Sequence, residues 1–248
     1  GRLVVDFRGT QGPHAGNLNA PRAVVRAAVL YGLRVLVGRP IPLNEGALSR
    51  VDLLLPSASI LSSPPNAAIV GGNVETSQRI TDLFLAAAGH RAASQGTMNN
   101  LTLGGNGWSL YETICGGEGA SFRSSGASMR QVHMTNTRAT DVEILEARLP
   151  LRVQSFSRRE GSGGRGAHPG GDGAIREIEV LSECQAALLR TRRETGAPGL
   201  EGGAEGAPGK DYLFRNGAWQ AWNGLAVKLA PGDRVRIETP GGGGWGSE

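Results

Sequence analysis

His133 lies in the stretch "QVHMTNTRATDVE", followed within nine residues by Thr135, Asn136, Thr137, Arg138 and Asp141. An imidazole changes charge near neutral pH, and a neighbouring carboxylate can orient it for general acid/base work. The plainer alternative is a polar loop whose histidine is satisfied by backbone, and residue type and spacing leave both readings open. In an extended segment His133 and Thr135 would share one side and Asn136 the other. Arg138 would then have Asp141 or Glu143 to pair with. A second polar stretch, "ASQGTMNNLTLGG" from Ala92 to Gly104, holds Gln95, Asn99 and Asn100 with hydroxyls from Ser94, Thr97 and Thr102, and contains no lysine or carboxylate. Side-chain amides both donate and accept, so this stretch suits an uncharged polar ligand. A third, "GGNVETSQRI", puts Gly71 and Gly72 before a run that reads as a helix start. Free amides there could meet an anion, but Glu75 is itself placed to satisfy them, and the two roles stand level.

Other groups point away from chemistry. Cys115 sits beside Gly116 and Gly117, yet a lone buried cysteine is more often a small hydrophobe than a nucleophile. Gly161, Gly163 and Gly166 satisfy GxGxxG without a buried strand before them or a helix after, which excludes a dinucleotide fold. No GxxxxGK[ST] phosphate loop occurs. The four histidines, His14, His90, His133 and His168, form no metal-binding spacing, so no metal site is assigned to this chain alone. Two distant cysteines give no disulfide framework and suggest a reducing, cytoplasmic setting. The charge of +4 comes from 26 basic against 22 acidic residues, mostly isolated arginines without interleaved aromatics, which argues against a nucleic-acid surface. No run is apolar enough for a membrane span.

The elements that must position these residues are partly visible. "LVVDF" alternates as a strand. Ala20 to Val37 reads as a helix opened by Pro21 and closed by Gly38. "VDLLLP" reads as a buried strand, and Glu75 to His90 as a helix with Ile80, Leu83, Phe84 and Ala87 on one face. From Leu149 the pattern shifts to short alternating segments, with hairpin and turn signals at Asn216-Gly217 and Pro231-Gly232-Asp233. These predict an α+β fold of mixed helices and sheets, with residues 1–149 as one part and 150–248 as a β-rich, Gly-rich subdomain. The 39 glycines are about double ordinary usage and cluster at Gly161–Gly173, Gly196–Gly209 and Gly241–Gly246, expected as turns or loops.

Taken together, "GNLNAPRA", "IPLNEG", "VGGNVETSQRI", "ASQGTMNNLTLGG", "YETICGGEGA", "HMTNTRATDVEILEARLPLRV", "GGDG" and "IETPGGGGWG" strongly resemble the hydantoinase B/5-oxoprolinase family. The resemblance runs in order along nearly the whole chain. It implies a component of an ATP-dependent hydrolase that opens a cyclic amide such as 5-oxoproline or a hydantoin. Family relatives that carboxylate ketones supply one alternative, and a non-catalytic assembly subunit supplies another. ATP is expected on a hydantoinase A-type partner, which would phosphorylate the carbonyl oxygen of a lactam too inert for water alone. The family is longer, and its N-terminal half, with a His- and Asp-containing segment that looks like a metal site, is absent here. A missing half or another chain is therefore expected in an oligomer, and any divalent metal would not be held by this chain alone. On this reading the catalytic candidates are His133, Glu75 and Asp141. The substrate contacts are Asn73, Thr76, Gln95, Thr97, Asn99, Asn100, Asn136 and Arg138, whose amides would pair with a ring N–H and C=O.

Overall fold

Helix α1 (Arg22–Val37) begins where the sequence punctuates it. Pro21 is the extended N-cap residue, with φ already in the range a helix start needs, and Gly38 ends the helix at φ 65, its N–H bonded to Arg34 O. The computed structural model describes residues 1–248. They form two compact units, Gly1–His90 and Arg91–Glu248.

In the first unit, strand β1 (Leu3–Asp6) pairs in parallel with β2 (Val51–Leu54), Leu3 opposite Val51. Helix α2 (Ser77–Ala87) packs on α1, and Gly32 of α1 faces the Phe84 ring so closely that any side chain there would collide with it. The expected helix over 75–90 is thus shorter than its pattern. Residues Gly72–Thr76 form a π-helical turn ahead of it. At the other end Gly89 takes φ 59 and His90 N–H closes back on Leu85 O. Ile80 and Phe84 are buried as their spacing predicts, but Leu83 is 58% exposed. Ser77, Gln78, Thr81 and Asp82 are buried in its stead, so this helix hides a largely polar surface.

The second unit contains two antiparallel sheets. One has the order β10–β7–β3–β4, built from β3 (Asn100–Gly105), β4 (Trp108–Thr113), β7 (Cys184–Leu189) and β10 (Ala226–Leu229). The other has the order β5–β6–β11–β8–β9, built from β5 (Leu151–Arg159), β6 (Gly173–Val180), β8 (Lys210–Arg215), β9 (Ala218–Ala221) and β11 (Arg234–Glu238). Leu101, Leu103 and Leu110 of the first meet Ile178, Val180, Leu213, Val235 and Ile237 of the second in one core. That core also holds an ion pair, Arg176 on β6 bidentate to Glu112 on β4 at 3.1 Å on both arms, with the Phe156 ring 4.8 Å from the guanidinium. Helix α3 (Val142–Arg148) precedes β5, so the pattern shift expected at Leu149 falls inside this unit. The Asn216-Gly217 hairpin joins β8 to β9 with both residues at positive φ, 53 and 79, as a primed turn requires. The architecture is mixed α and β with more sheet than helix.

The glycine clusters divide: Gly161 and Gly202 sit in exposed turns at φ 72 and 89, as expected, whereas Gly241–Gly244 is buried. The N–H groups of Gly241–Gly244 go to the Ala207, Gly171, Ala93 and Ala204 carbonyls, on three separate stretches of chain. A side chain on Gly242, Gly243 or Gly244 would collide with the carbonyl of Glu118, Pro198 or Arg165 respectively. Glycine is required here because backbone packs directly on backbone.

Candidate functional site

In the first unit, "GNLNAPRA" and "VGGNVETSQ" are bound to each other. Asn19 is buried; its carbonyl oxygen accepts from His14 N at 2.7 Å and its amide nitrogen faces the His14, Gly16 and Ala68 carbonyls at 2.8–3.1 Å. Gly71 N donates to Asn17 O at 2.7 Å, Thr76 Oγ1 to Leu18 O at 2.5 Å, and Gly72 lies so close to Asn19 O that no Cβ would fit. These contacts hold the π turn, a geometry that often marks functional segments. It places Glu75, 1% exposed, one helical turn before Arg79. Burial pushes the Arg79 guanidinium below its ordinary value, while Asp82 and Glu75 act in the opposite direction. Asn73 is exposed, and its carbonyl accepts from the Ser77 hydroxyl at 2.5 Å.

In the second unit, every residue from Ala92 to Asn100 is buried. Most of the polar groups are paired in a directed chain that begins at Asp211 on β8, while Gln95 Nε2 is buried without a partner. Its carboxylate receives Arg193 Nε and Nη2 and Arg190 Nε, each at 2.9 Å. Arg193 turns its remaining N–H groups to Asn99 Oδ1, at 3.0 Å from both Nη1 and Nη2, and to Thr191 O at 2.9 Å. A guanidinium only donates, so Asn99 must present its oxygen there and its nitrogen elsewhere. That nitrogen donates to Gln95 Oε1 at 2.8 Å and to Ile114 O at 3.2 Å. Asn99 thus spends its side-chain capacity inside the fold. It also holds φ 46, the left-handed region that asparagine tolerates better than most residues. Thr97 Oγ1 accepts from the Asn99 and Thr191 amides, at 3.2 and 3.3 Å. Asn100 donates to Leu189 O at 2.9 Å and accepts from Tyr111 OH at 2.6 Å. Two guanidiniums against one carboxylate leave the cluster with one net positive charge, spread by Arg190 over the Trp222, Asn223 and Gly224 carbonyls.

The segment around His133 leaves this floor from the end of β4. Arg130 and Gly116 exchange backbone hydrogen bonds at 2.8 and 3.3 Å, and Gln131 Nε2 donates to Thr113 O and Oγ1 at 3.0 Å each. Thr113 Oγ1 also meets Thr137 Oγ1. Between these ties His133 is half-buried at φ 50, in a turn closed by Thr135 N to Val132 O at 3.1 Å. The segment is therefore a turn, not the extended run that would put His133 and Thr135 on one side. Asn136 and Arg138 are exposed. The Asp141 carboxylate accepts from the Glu143 and Ile144 amides at 3.0 and 3.2 Å, capping α3, because the free N–H groups of a helix start are its nearest donors.

Of the sequence candidates, Gln95, Thr97, Asn99, Asn100, His133, Asn136, Arg138 and Asp141 belong to the second unit, and Asn73, Glu75 and Thr76 to the first. Arg193, Asp211, Thr113 and Gln131 carry the geometry and have no local sequence signal; Arg193 lies 94 residues from Asn99. Burial pushes the Cys115 thiol up to about 11, so it stays protonated and unreactive at neutral pH. No three His, Cys, Asp or Glu side chains stand together as a metal-binding group, and no helix is long and apolar enough to cross a membrane.

The profile of the hydantoinase B/oxoprolinase family matches residues 1–248. Over 249 aligned residues the chain is 48% identical to 5-oxoprolinase 1 of Arabidopsis thaliana, covering all of this chain and 20% of that protein. The ATP-dependent caprolactamase of Pseudomonas jessenii shares the fold, with a TM-score of 0.81 at 22% identity over 96% of this chain and 45% of the other. A nucleotide-free acetone carboxylase shares it equally, at TM-score 0.81 and 16% identity over 98% of this chain and 39% of the other. The chain spans about a fifth of the plant relative's length.

Proposed function

The chain belongs to the hydantoinase B/oxoprolinase family, and from that premise we propose that it forms part of an ATP-dependent enzyme that opens a cyclic amide, 5-oxoproline or a close analogue. Both a lactam-opening and a carboxylating enzyme share the fold, so the fold does not choose between them. The 48% identity to a 5-oxoprolinase favours ring opening. The observation that carries the site is His133, held in a left-handed turn by ties on both sides of it. Such a conformation costs on the order of 1–3 kcal/mol and persists only where its surroundings over-determine it, as they do at reacting centres.

His133 exchanges a proton with the opening ring, and Asn136 and Arg138, exposed on the same segment, contact the substrate. Asp141 supports them by fixing where α3 begins. Gln95, Thr97, Asn99 and Asn100 form the buried floor that sets the height and tilt of that segment. Glu75 is the second candidate acid/base, with Asn73 and Thr76 beside it. ATP, bound by a hydantoinase A-type chain or domain, supplies the phosphoryl group that makes an inert amide carbonyl reactive. The reading places this assembly in the cytoplasm, and the greater length of the plant relative supports further domains or subunits.

The full-length protein with its ATP-using partner, assayed with 5-oxoproline, tests this. His133→Gln keeps hydrogen bonding but cannot titrate near neutral pH. Turnover is expected to fall by about a hundredfold or more with the melting temperature unchanged. Near-normal turnover would return His133 to the scaffold. Carboxylation of a ketone with no opening of any cyclic amide would replace the reaction itself.

A further inference from the structure

Thr113 is the last residue of β4, 5% exposed and opposite Asn100 in the β3–β4 ladder. Its own backbone and hydroxyl reach both legs of the His133 segment. Gln131, two residues before His133, puts its Nε2 on Thr113 O and Oγ1, both at 3.0 Å. Thr137, four residues after His133, meets the same Oγ1 with its own hydroxyl. A threonine hydroxyl has one proton and two acceptor sites, so a single Oγ1 can serve an amide on one leg and a hydroxyl on the other. With Arg130 tied to Gly116, the turn is pinned at three points around a residue that would not otherwise hold φ 50. Loosening these ties frees the backbone to relax toward the ordinary right-handed or extended regions and changes the direction of the ring.

We propose that Thr113 is a positioning residue for the ring-opening reaction, fixing the left-handed turn that aims His133. The proposal rests on His133 being the proton-transfer group. Thr113 touches no substrate. Its effect on the proton-transfer step passes through the imidazole, and this separates it from an ordinary fold-stabilising threonine.

The test is a double-mutant cycle in the full-length protein with its partner, using 5-oxoproline. Thr113→Val keeps the β-branched shape and removes the hydroxyl; it is expected to lower kcat about tenfold with a smaller rise in KM, since Asn136 and Arg138 flank Thr137, and Thr113→Ser to restore both. In the His133→Gln background, Thr113→Val is expected to change turnover less than about twofold, because there is no longer a proton-transfer group to aim. A second readout needs no substrate: Thr113→Val should speed hydrogen exchange of the Thr135 amide while leaving the five-stranded sheet protected. If His133→Gln lowers turnover about a hundredfold but Thr113→Val lowers kcat by the same factor in both backgrounds, the positioning role fails and the histidine's role stands. Near-normal turnover by His133→Gln overturns both. Unchanged Thr135 exchange in Thr113→Val overturns the clamp directly.

Discussion

Residues 71–78 of the first unit carry a charge of their own, Glu75, and lead into a helix, whereas residues 94–100 of the second carry none and lead into a strand. Both are rich in amides, hydroxyls and glycine. In the first, these groups bind neutral backbone carbonyls: Thr76 reaches Leu18 across 58 residues, Gly71 reaches Asn17, and Ser77 reaches back to Asn73 O. In the second, they are conductors of order over long range, because Asn99 and Gln95 take their orientation from Arg193 and Asp211 more than ninety residues away. A stretch without charge that is wholly buried must import the charge that fixes it. The stretch that keeps its own carboxylate is tied instead by neutral hydrogen bonds to the backbone carbonyls of Asn17 and Leu18.

The sharpest way to break this comparison is to remove the imported charge. Asp211→Ala leaves two largely buried guanidiniums facing each other, with side-chain exposures of 9% and 16%, and no carboxylate between them. Losing one partner of a buried ion pair costs about 3–5 kcal/mol, so this is the largest effect expected. Denaturant unfolding should show it. Hydrogen exchange should rise in residues 94–105 and stay unchanged in 71–87. Equal loss of protection in both stretches would mean that the second is no more dependent on distant charge than the first.

Asn99→Ala comes next. It strands the Arg193 N–H groups and Gln95 Oε1, and puts an alanine at φ 46, where its Cβ is strained. A loss of about 2–3 kcal/mol is expected. Asn99→Gly, which relieves the strain but not the lost bonds, should recover only part of it. Full recovery would show that the backbone, not the directed chain, is what asparagine provides.

How much of this was legible follows the same division. α1 and the Asn216-Gly217 hairpin were readable because Pro21, Gly38 and Gly217 fix dihedral angles within a few residues. The family motifs were readable as strings, and His133 as a titratable group among polar neighbours. The π turn was not, since a pattern of apolar spacing cannot show one extra residue per turn in a polar run. Leu83 was misplaced on the buried face because the helix buries Gln78, Thr81 and Asp82, contrary to what hydrophobic periodicity assumes. The burial of Gly241–Gly244 was hidden because sequence gives composition but not the carbonyl of Glu118 or Pro198 lying against Gly242 or Gly243. The parts of the site that stayed hidden, Thr113, Gln131, Arg193 and Asp211, act through partners that only folding brings near.

The smallest effect belongs to the first unit, and it sharpens the contrast from the other side. Thr76→Val removes one hydroxyl bond, to Leu18 O, while keeping the β-branched shape on a residue 9% exposed. Gly71 still ties the same loop to the start of the π turn and Asn19 ties it to Ala68, through bonds that valine does not touch. The loss should therefore be that of a single hydrogen bond, about 1 kcal/mol, with no cooperative collapse. Combined with Asp211→Ala, it should add its own value within about 0.5 kcal/mol, as sites without shared partners do. A loss of 3 kcal/mol or more from Thr76→Val alone would show that the first stretch is also a single network, in which one missing bond disorients the rest. The two stretches would then differ in where their charge comes from but not in how their polar groups depend on one another.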